Sequence, residues 1–236
     1  MRETGIILLP LLGTALGAGA VFFTRGQGSG SMGRGLNGFA AGVMTAASVW
    51  SLILPAVEQS AHWGWLSFLP AAVGIWLGFV FVGFLETCVP DGASLTAAAV
   101  ALHNLPEGMA VGVGLAGYLN GSVSLAAVFA LSLGIAVQNL PEGAIISLPL
   151  AAGRMRRGKA FGWGVLSGVI EPLGAAAAVL VASAAVPALP WLLGFSAGAM
   201  LYVAAAELSP QMGNRMGAGC YAMGFTLMMA LDVALG

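Results

Sequence analysis

Charged side chains are scarce in this sequence of 236 residues. Asp, Glu, Lys and Arg together make up 7% of it and hydrophobic residues 59%, whereas a soluble domain carries about 25% charged residues. So few charges cannot cover the surface of a water-soluble protein, which excludes that class and indicates an integral membrane protein. The net charge of -1 and the lack of a long basic segment give no reason to expect a nucleic-acid partner.

Cysteine and histidine are also rare, with two residues of each. Cys88 and Cys220 lie far apart and form no CxxC pair, so we expect them to be small packing residues. The HExxH pattern of zinc proteases and the GxxxxGK[ST] pattern of ATP-binding loops are both missing. Since a catalytic zinc is usually held by several ligands, chiefly His, the sequence does not favour an enzyme.

Long apolar segments are what the sequence has in abundance. A helix needs roughly 20 residues to cross the hydrocarbon core of a bilayer. Eight segments are predicted to cross it, at about residues 6–23, 38–57, 66–85, 94–119, 122–150, 160–185, 191–207 and 220–235. The 36 glycines allow such helices to pack closely. We therefore predict an all-α polytopic membrane protein in which residues 1–236 form a single transmembrane domain.

The basic residues test this count of spans. Of the eight Lys and Arg residues, seven fall in loops that an eight-span topology places on one side, and only Arg2 lies on the other. Because loops rich in Lys and Arg stay in the cytoplasm, this asymmetry predicts that both termini lie outside. The expected location is the inner (plasma) membrane, as a multi-pass protein with the lipid bilayer as a partner.

Polar residues interrupt the fourth and fifth spans in a repeated pattern. The sequence NLPEG occurs twice, 35 residues apart, once preceded by His103 and once by Gln138. Helical spacing puts His103 and Glu107 on one face of the fourth span, and Gln138 and Glu142 on one face of the fifth. The proline of each copy leaves a backbone carbonyl without its usual donor. Ionisable groups are costly in a bilayer, so two copies at matching depth indicate a functional site shared by two helices.

The residue types of this pair indicate its ligand. Imidazole suits zinc and other transition metals, whereas carboxylate and amide oxygens suit harder cations. The mixed set of His103, Glu107, Gln138 and Glu142 therefore fits a divalent metal ion at the membrane midplane. Such a set allows the metal to exchange, unlike a closed all-thiolate cage. Glu171, a mid-span carboxylate followed by proline, is a further candidate ligand.

The HNLPEG and QNLPEG pair resembles the signature of the ZIP (Zrt-/Irt-like) family of metal transporters, in particular its bacterial GufA-like branch. The resemblance extends over the whole chain and implies a bundle of three, two and three spans, with the two triplets related by an inverted repeat. It implies transport of zinc, and often of cadmium, iron or manganese, into the cytoplasm by an elevator-like or rocking movement. Many members form homodimers. No catalytic cofactor is expected, since the metal is the cargo.

The resemblance also assigns roles to particular residues. It implies a primary metal site at four of them, His103, Glu107, Gln138 and Glu142. An adjacent second site would add three residues to Glu107 and Glu142, namely Asn104, Asn139 and Glu171. Met44 would bring a thioether to the primary site. The second motif lacks the histidine that many eukaryotic members have there, which predicts a broader choice of divalent metals.

Three further carboxylates lie near the ends of predicted spans. Glu58 and Asp232 are placed toward the outside and Glu207 toward the inside. They are candidates for the entrance and exit of a metal pathway. Two other functions remain open at this point, an intramembrane metalloenzyme and a membrane protein that binds metal without transporting it.

Overall fold

The computed structural model describes residues 2–23, 30–88, 92–121, 123–153 and 155–235. Within these ranges the regular structure consists entirely of helices. The α-helices of this part of the chain are α1 (Arg2–Ala18), α2 (Gly30–Ala47), α3 (Leu54–Gln59), α4 (Leu69–Cys88), α5 (Gly92–Leu119), α6 (Leu125–Ala152), α7 (Arg157–Gly168), α8 (Ile170–Leu180), α9 (Ala182–Tyr202), α10 (Ser209–Met212) and α11 (Arg215–Leu235). Short 3₁₀ helices lie at Gly19–Phe22 and Ala61–Leu66.

Seven helical segments of the described residues are long and apolar enough to cross a membrane. They are Glu3–Phe22, Gly33–Gln59, Leu69–Cys88, Leu125–Ala152, Arg157–Leu180, Pro187–Met212 and Arg215–Ala234. In addition, α5 is a continuous helix of 28 residues. The prediction of an all-α polytopic membrane protein is confirmed.

The observed helices differ from the predicted spans mainly at their ends. Most begin or end a few residues away from the limits of the apolar segment. The sixth predicted span, 160–185, ends earlier in the structure, at Leu180. Val181 leaves the helical conformation, with φ -109 and ψ 26, and α9 begins at the next residue. Hydropathy does not change at this turn, so it could not locate the boundary.

Glycine brings several of the described helix pairs into backbone contact, among them α1 with α6, α5 with α8, α2 with α11, and α4 with α9. A Cβ added to Gly42 would overlap the carbonyl oxygen of Tyr221 in α11, and one added to Gly78 would overlap that of Phe195 in α9. Lipid gives no hydrophobic drive for helices to associate, so close approach at small residues is what holds them together.

In the described part of the chain, two spans contain π-helical turns, at Ser48–Ile53 and Val203–Leu208. Each is followed closely by a proline, Pro55 or Pro210, at the start of the next α-helical turn. Proline lacks the N–H that would continue the α-helical ladder, so the backbone regains its hydrogen bonds in wider turns. Such turns are frequent at functional sites, and here they lie near the carboxylates Asp232 and Glu207.

Candidate metal site

The repeated motif lies near the middle of two uninterrupted helices. α5 and α6 contain 28 residues each and pass through Pro106 and Pro141 without a break. Six polar side chains of this region are at most 1% exposed: Asn104, Glu107, Gln138, Asn139, Glu142 and Glu171. Burying three carboxyl and three amide groups is expensive unless each finds a partner. Their partners therefore define what the site can do.

A hydrogen bond joins the two motif helices directly. Gln138 Nε2 on α6 donates to Glu107 Oε1 on α5 over 2.7 Å. The first residue of QNLPEG thus contacts the glutamate of HNLPEG. The two motif helices therefore contact each other through these two side chains.

Glu171 on α8 is the meeting point of three helices. Its Oε1 accepts hydrogen bonds from Asn104 Nδ2 of α5 over 3.1 Å and from Thr14 Oγ1 of α1 over 3.2 Å. The carboxylate also lies within electrostatic range of Glu107 and Glu142. Negative charge on these three buried side chains would be unfavourable without a cation nearby to offset it.

Helix α1 also lines the site, next to α6 and α8. Asn139 Nδ2 lies 3.5 Å from the carbonyl oxygen of Pro10. Pro10 lies inside α1 and cannot donate to the carbonyl of Ile6, which instead accepts a 2.6 Å hydrogen bond from Ser132 Oγ of α6. The sequence analysis did not include α1 in the site. A threonine within an apolar span that also contains proline was the signal available.

Several buried oxygens around the motif have no hydrogen-bond partner among the described residues. They include Asn104 Oδ1, Gln138 Oε1, Asn139 Oδ1 and Glu171 Oε2. An unpaired buried polar atom costs about 1–3 kcal/mol. Four such oxygens from α5, α6 and α8 indicate a ligand that accepts their lone pairs, as a metal cation does.

The donor set is mixed rather than purely charged. Among the described side chains, no group of three or more His, Cys, Asp and Glu residues could hold a metal ion by itself. A metal bound here would therefore need the amide oxygens of Gln138, Asn104 or Asn139 as well as carboxylates. His103 has its backbone in α5, but its side chain lies outside the described part of the structure.

Met44 is 2% exposed and belongs to the hydrophobic core cluster that also contains Ala110 and Val113 of α5. These α5 residues lie three and six positions after Glu107 on the same helix. The position is compatible with the predicted thioether ligand and equally with ordinary core packing. Its role stays a prediction.

The glycine that ends each motif copy is a contact point, which the sequence analysis overlooked. A Cβ on Gly108 would overlap the carbonyl oxygen of Glu171, and a Cβ on Gly143 would overlap that of Thr14. The first motif is thereby packed against α8 and the second against α1. The repetition of glycine within NLPEG was the signal for this role.

The three candidate pathway carboxylates lie in different settings. Asp232 Oδ1 accepts a 2.7 Å hydrogen bond from Ser51 Oγ in the first π-helical turn. A Cβ on Gly134, one helical turn before Gln138, would lie 3.8 Å from the same Asp232 oxygen. Glu207 lies half-buried in the second π-helical turn, and Glu58 is exposed at the end of α3.

Comparison with known proteins finds a matching family model and several relatives. The family model described as ZIP Zinc transporter matches residues 89–232. Zinc transporter GufA of Myxococcus xanthus is 34% identical, over 98% of this chain and 99% of its own length. Zinc transporter ZIP11 of Xenopus tropicalis is 31% identical over 98% of both chains. Zinc transporter ZIPB of Bordetella bronchiseptica is 35% identical over 84% of this chain and 70% of its own.

Proposed function

Because the chain belongs to the ZIP family of zinc transporters, we propose that it carries divalent metal ions, zinc foremost, across a membrane. The observation that carries the proposal is the buried cluster of carboxylates and unpaired amide oxygens between α5, α6 and α8. Ionisable groups at this depth are retained for function. A cluster that is buried and acidic suits a cation in transit.

The chemistry of the donors favours several divalent metals. Glu107, Glu142 and Glu171 offset the charge of the ion, and the amide oxygens of Gln138, Asn104 and Asn139 can complete its coordination. Together with His103 this set accepts zinc, and also cadmium, iron and manganese. Mixed oxygen and nitrogen ligands bind less tightly than a cage of thiolates. The metal can therefore leave the site again, as transport requires.

The proposed topology has eight spans, with α5 added to the seven segments found among the described residues. The one-sided distribution of Lys and Arg supports termini on the outside of the inner (plasma) membrane. An inverted repeat of three, two and three spans is supported by the matching contacts of Gly108 with α8 and of Gly143 with α1. Import into the cytoplasm is the direction of this proposal.

A route through the protein connects the pathway carboxylates. Asp232 and Ser51 lie one turn of α6 from Gln138, on the outer side of the site in the proposed topology. Glu58 would attract cations to this entrance. Glu207 would receive the metal on the cytoplasmic side. Each of these carboxylates is more exposed to solvent than the central cluster and should bind the metal more weakly. Weak binding suits sites that the metal occupies only briefly during transport.

The movement proposed is that of one group of helices against another. α1, α5, α6 and α8 are joined by glycine contacts around the site, whereas α2, α4, α9 and α11 are joined in two other pairs. A group that carries the metal could rock or slide along the second group in the manner of an elevator.

The absence of an ATP-binding pattern in the sequence means that transport follows a gradient or is coupled to another ion. A homodimer is the proposed assembly.

The test is transport by the purified protein in liposomes. Zinc entry, followed with a trapped zinc-sensitive dye, is expected to exceed entry into protein-free liposomes, with cadmium, iron and manganese as competitors. Zinc that binds but does not cross would instead indicate a fixed metal site. Hydrolysis of a peptide by protein that does not transport would indicate a metalloenzyme. Either result contradicts the proposal.

A further inference from the structure

Thr14 of α1 contacts the site without belonging to either motif. Its side chain is fully buried, and Oγ1 lies 3.2 Å from Glu171 Oε1 and 3.4 Å from the carbonyl oxygen of Pro10. Glu171 Oε1 accepts a second hydrogen bond from Asn104. One oxygen of this carboxylate is therefore fixed by two donors from two helices. The other oxygen, Oε2, is buried and has no hydrogen-bond partner among the described residues.

Two glycines make room for Thr14. A Cβ on Gly143 of α6 would overlap the Thr14 carbonyl oxygen. A Cβ on Gly168 at the end of α7 would lie 2.9 Å from Thr14 Cβ and Oγ1. The backbone of α1 is thus held against α6 while the threonine side chain fills the space that Gly168 leaves. Close packing of this kind restricts where the hydroxyl can point.

Thr14 occupies the place on α1 that Glu171 occupies on α8. Gly108 packs on the Glu171 carbonyl, and Gly174 packs on Leu105. In the other half, Gly143 packs on the Thr14 carbonyl, and Gly17 packs on Leu140. Glycine follows three residues after Thr14 and three residues after Glu171. The two motif helices α5 and α6 therefore pack against α8 and α1 in the same way. At the contact, α8 presents the carboxylate of Glu171 and α1 presents the hydroxyl of Thr14.

This difference allows Thr14 of α1 to bond to Glu171 of α8. Two carboxylates at these places would repel each other, whereas a hydroxyl donates to the carboxylate opposite. We infer that Thr14 is a positioning residue, whose hydroxyl holds Glu171 Oε1 so that Oε2 is presented to the metal. The inference rests on the proposed metal transport and adds a residue to the part of the site formed by Asn104, Asn139 and Glu171. Loss of the hydroxyl should weaken metal binding there while leaving the helices in place.

The experiment compares Thr14→Val, which keeps the shape and removes the donor, with Thr14→Ser, which keeps the donor. Zinc uptake in liposomes and zinc bound per chain in detergent are both measured. Thr14→Val is expected to raise the KM for zinc about tenfold, the factor for losing one hydrogen bond to a charged group. It should also reduce the zinc bound per chain. Thr14→Ser is expected to restore both values to within about twofold.

The control is Ser132→Ala, which removes another hydrogen bond between α1 and α6, from Ser132 Oγ to the Ile6 carbonyl. It should lower thermal stability and leave the KM for zinc unchanged. If Thr14→Val matches the wild type in KM and in bound zinc, or if Thr14→Ser behaves like Thr14→Val, the inference is wrong. If Thr14→Val does not fold, Thr14→Ala takes its place. Absence of wild-type transport would overturn the proposed function instead, and the zinc bound by each variant would still decide the role of Thr14.

Discussion

Gln138 on α6 donates a 2.7 Å hydrogen bond to the carboxylate of Glu107 on α5. The two residues come from different copies of the repeated motif, so this bond fixes the relative position of the copies. It also leaves Gln138 Oε1 without a hydrogen-bond partner in the described part of the chain. A single amide thus links the helices through its nitrogen and offers its oxygen to a cation.

Replacing Gln138 by leucine should impair both the link and the site. The loss of a hydrogen bond to a charged group is expected to destabilise the protein by about 1–3 kcal/mol. The KM for zinc should rise by about tenfold, which corresponds to 1.4 kcal/mol. Uptake kinetics and thermal unfolding in detergent measure the two effects. Asn37→Ala, which removes an exposed hydrogen bond to Gln211, is the control and should change neither. An unchanged KM in Gln138→Leu would show that the amide does not serve the metal.

Alanine at either motif glycine should disrupt the fold. The added methyl group of Gly108→Ala would meet the Glu171 carbonyl, and that of Gly143→Ala the Thr14 carbonyl. Forcing a helix away from its neighbour is expected to cost about 3 kcal/mol. The measurement is the temperature at which the detergent-solubilised protein aggregates.

The matched control for these variants is Gly162→Ala. Gly162 also lies within a helix, α7, but a Cβ there would have nothing within 4 Å. Its stability should stay the same or rise by about 0.5–1 kcal/mol, because alanine favours the helix. Equal stability of all three variants would contradict the close contacts described.

Zinc should stabilise the purified protein, and its removal by a chelator should reverse the effect. At a zinc concentration of about 100 times Kd, the gain is about 2.7 kcal/mol for one site. Glu142→Gln keeps the shape of the side chain and removes a charge, so it should lose most of this gain. A thermal shift with and without zinc measures both proteins. A shift of the same size in Glu142→Gln would place the bound metal elsewhere.

Asp232→Asn should slow the entry of metal rather than its passage through the centre. Asp232 lies beside Gly134, one turn of α6 before Gln138, and is held by Ser51. Without its charge, zinc uptake should fall at low zinc concentration and recover at high concentration, with KM increased about fivefold. Initial rates over a range of zinc concentrations provide the test. A reduced maximal rate with an unchanged KM would argue against a place on the entry route.

Much of the architecture could be predicted from composition and from the motif. The scarcity of charge led to a membrane protein, and the pair of NLPEG sequences led to the family. The repeated motif suggested a site shared by two helices, and the structure has Gln138 of α6 bonded to Glu107 of α5. These features depend on local periodicity and on residue type, which a sequence displays directly.

Other features depend on contacts between distant segments. Thr14 is 157 residues from Glu171, so the threonine and proline of α1 could mark that span as unusual but could not identify this carboxylate as its partner. The break in the helix at Val181 lies in an uninterrupted apolar stretch, so hydropathy does not predict it. The π-helical turn at Ser48–Ile53 depends on how the backbone adapts to the proline that follows it. Only the packed helices display these relationships.

The most direct test of the central claim is zinc uptake by His103→Ala and Glu142→Ala in liposomes, with each protein checked for a monodisperse profile in detergent. The two residues lie in different copies of the motif, so a shared site requires both. We predict that each variant transports at less than about one tenth of the wild-type rate, since each loses a ligand of the transported ion. Wild-type rates in both variants would show that the metal does not pass between α5 and α6.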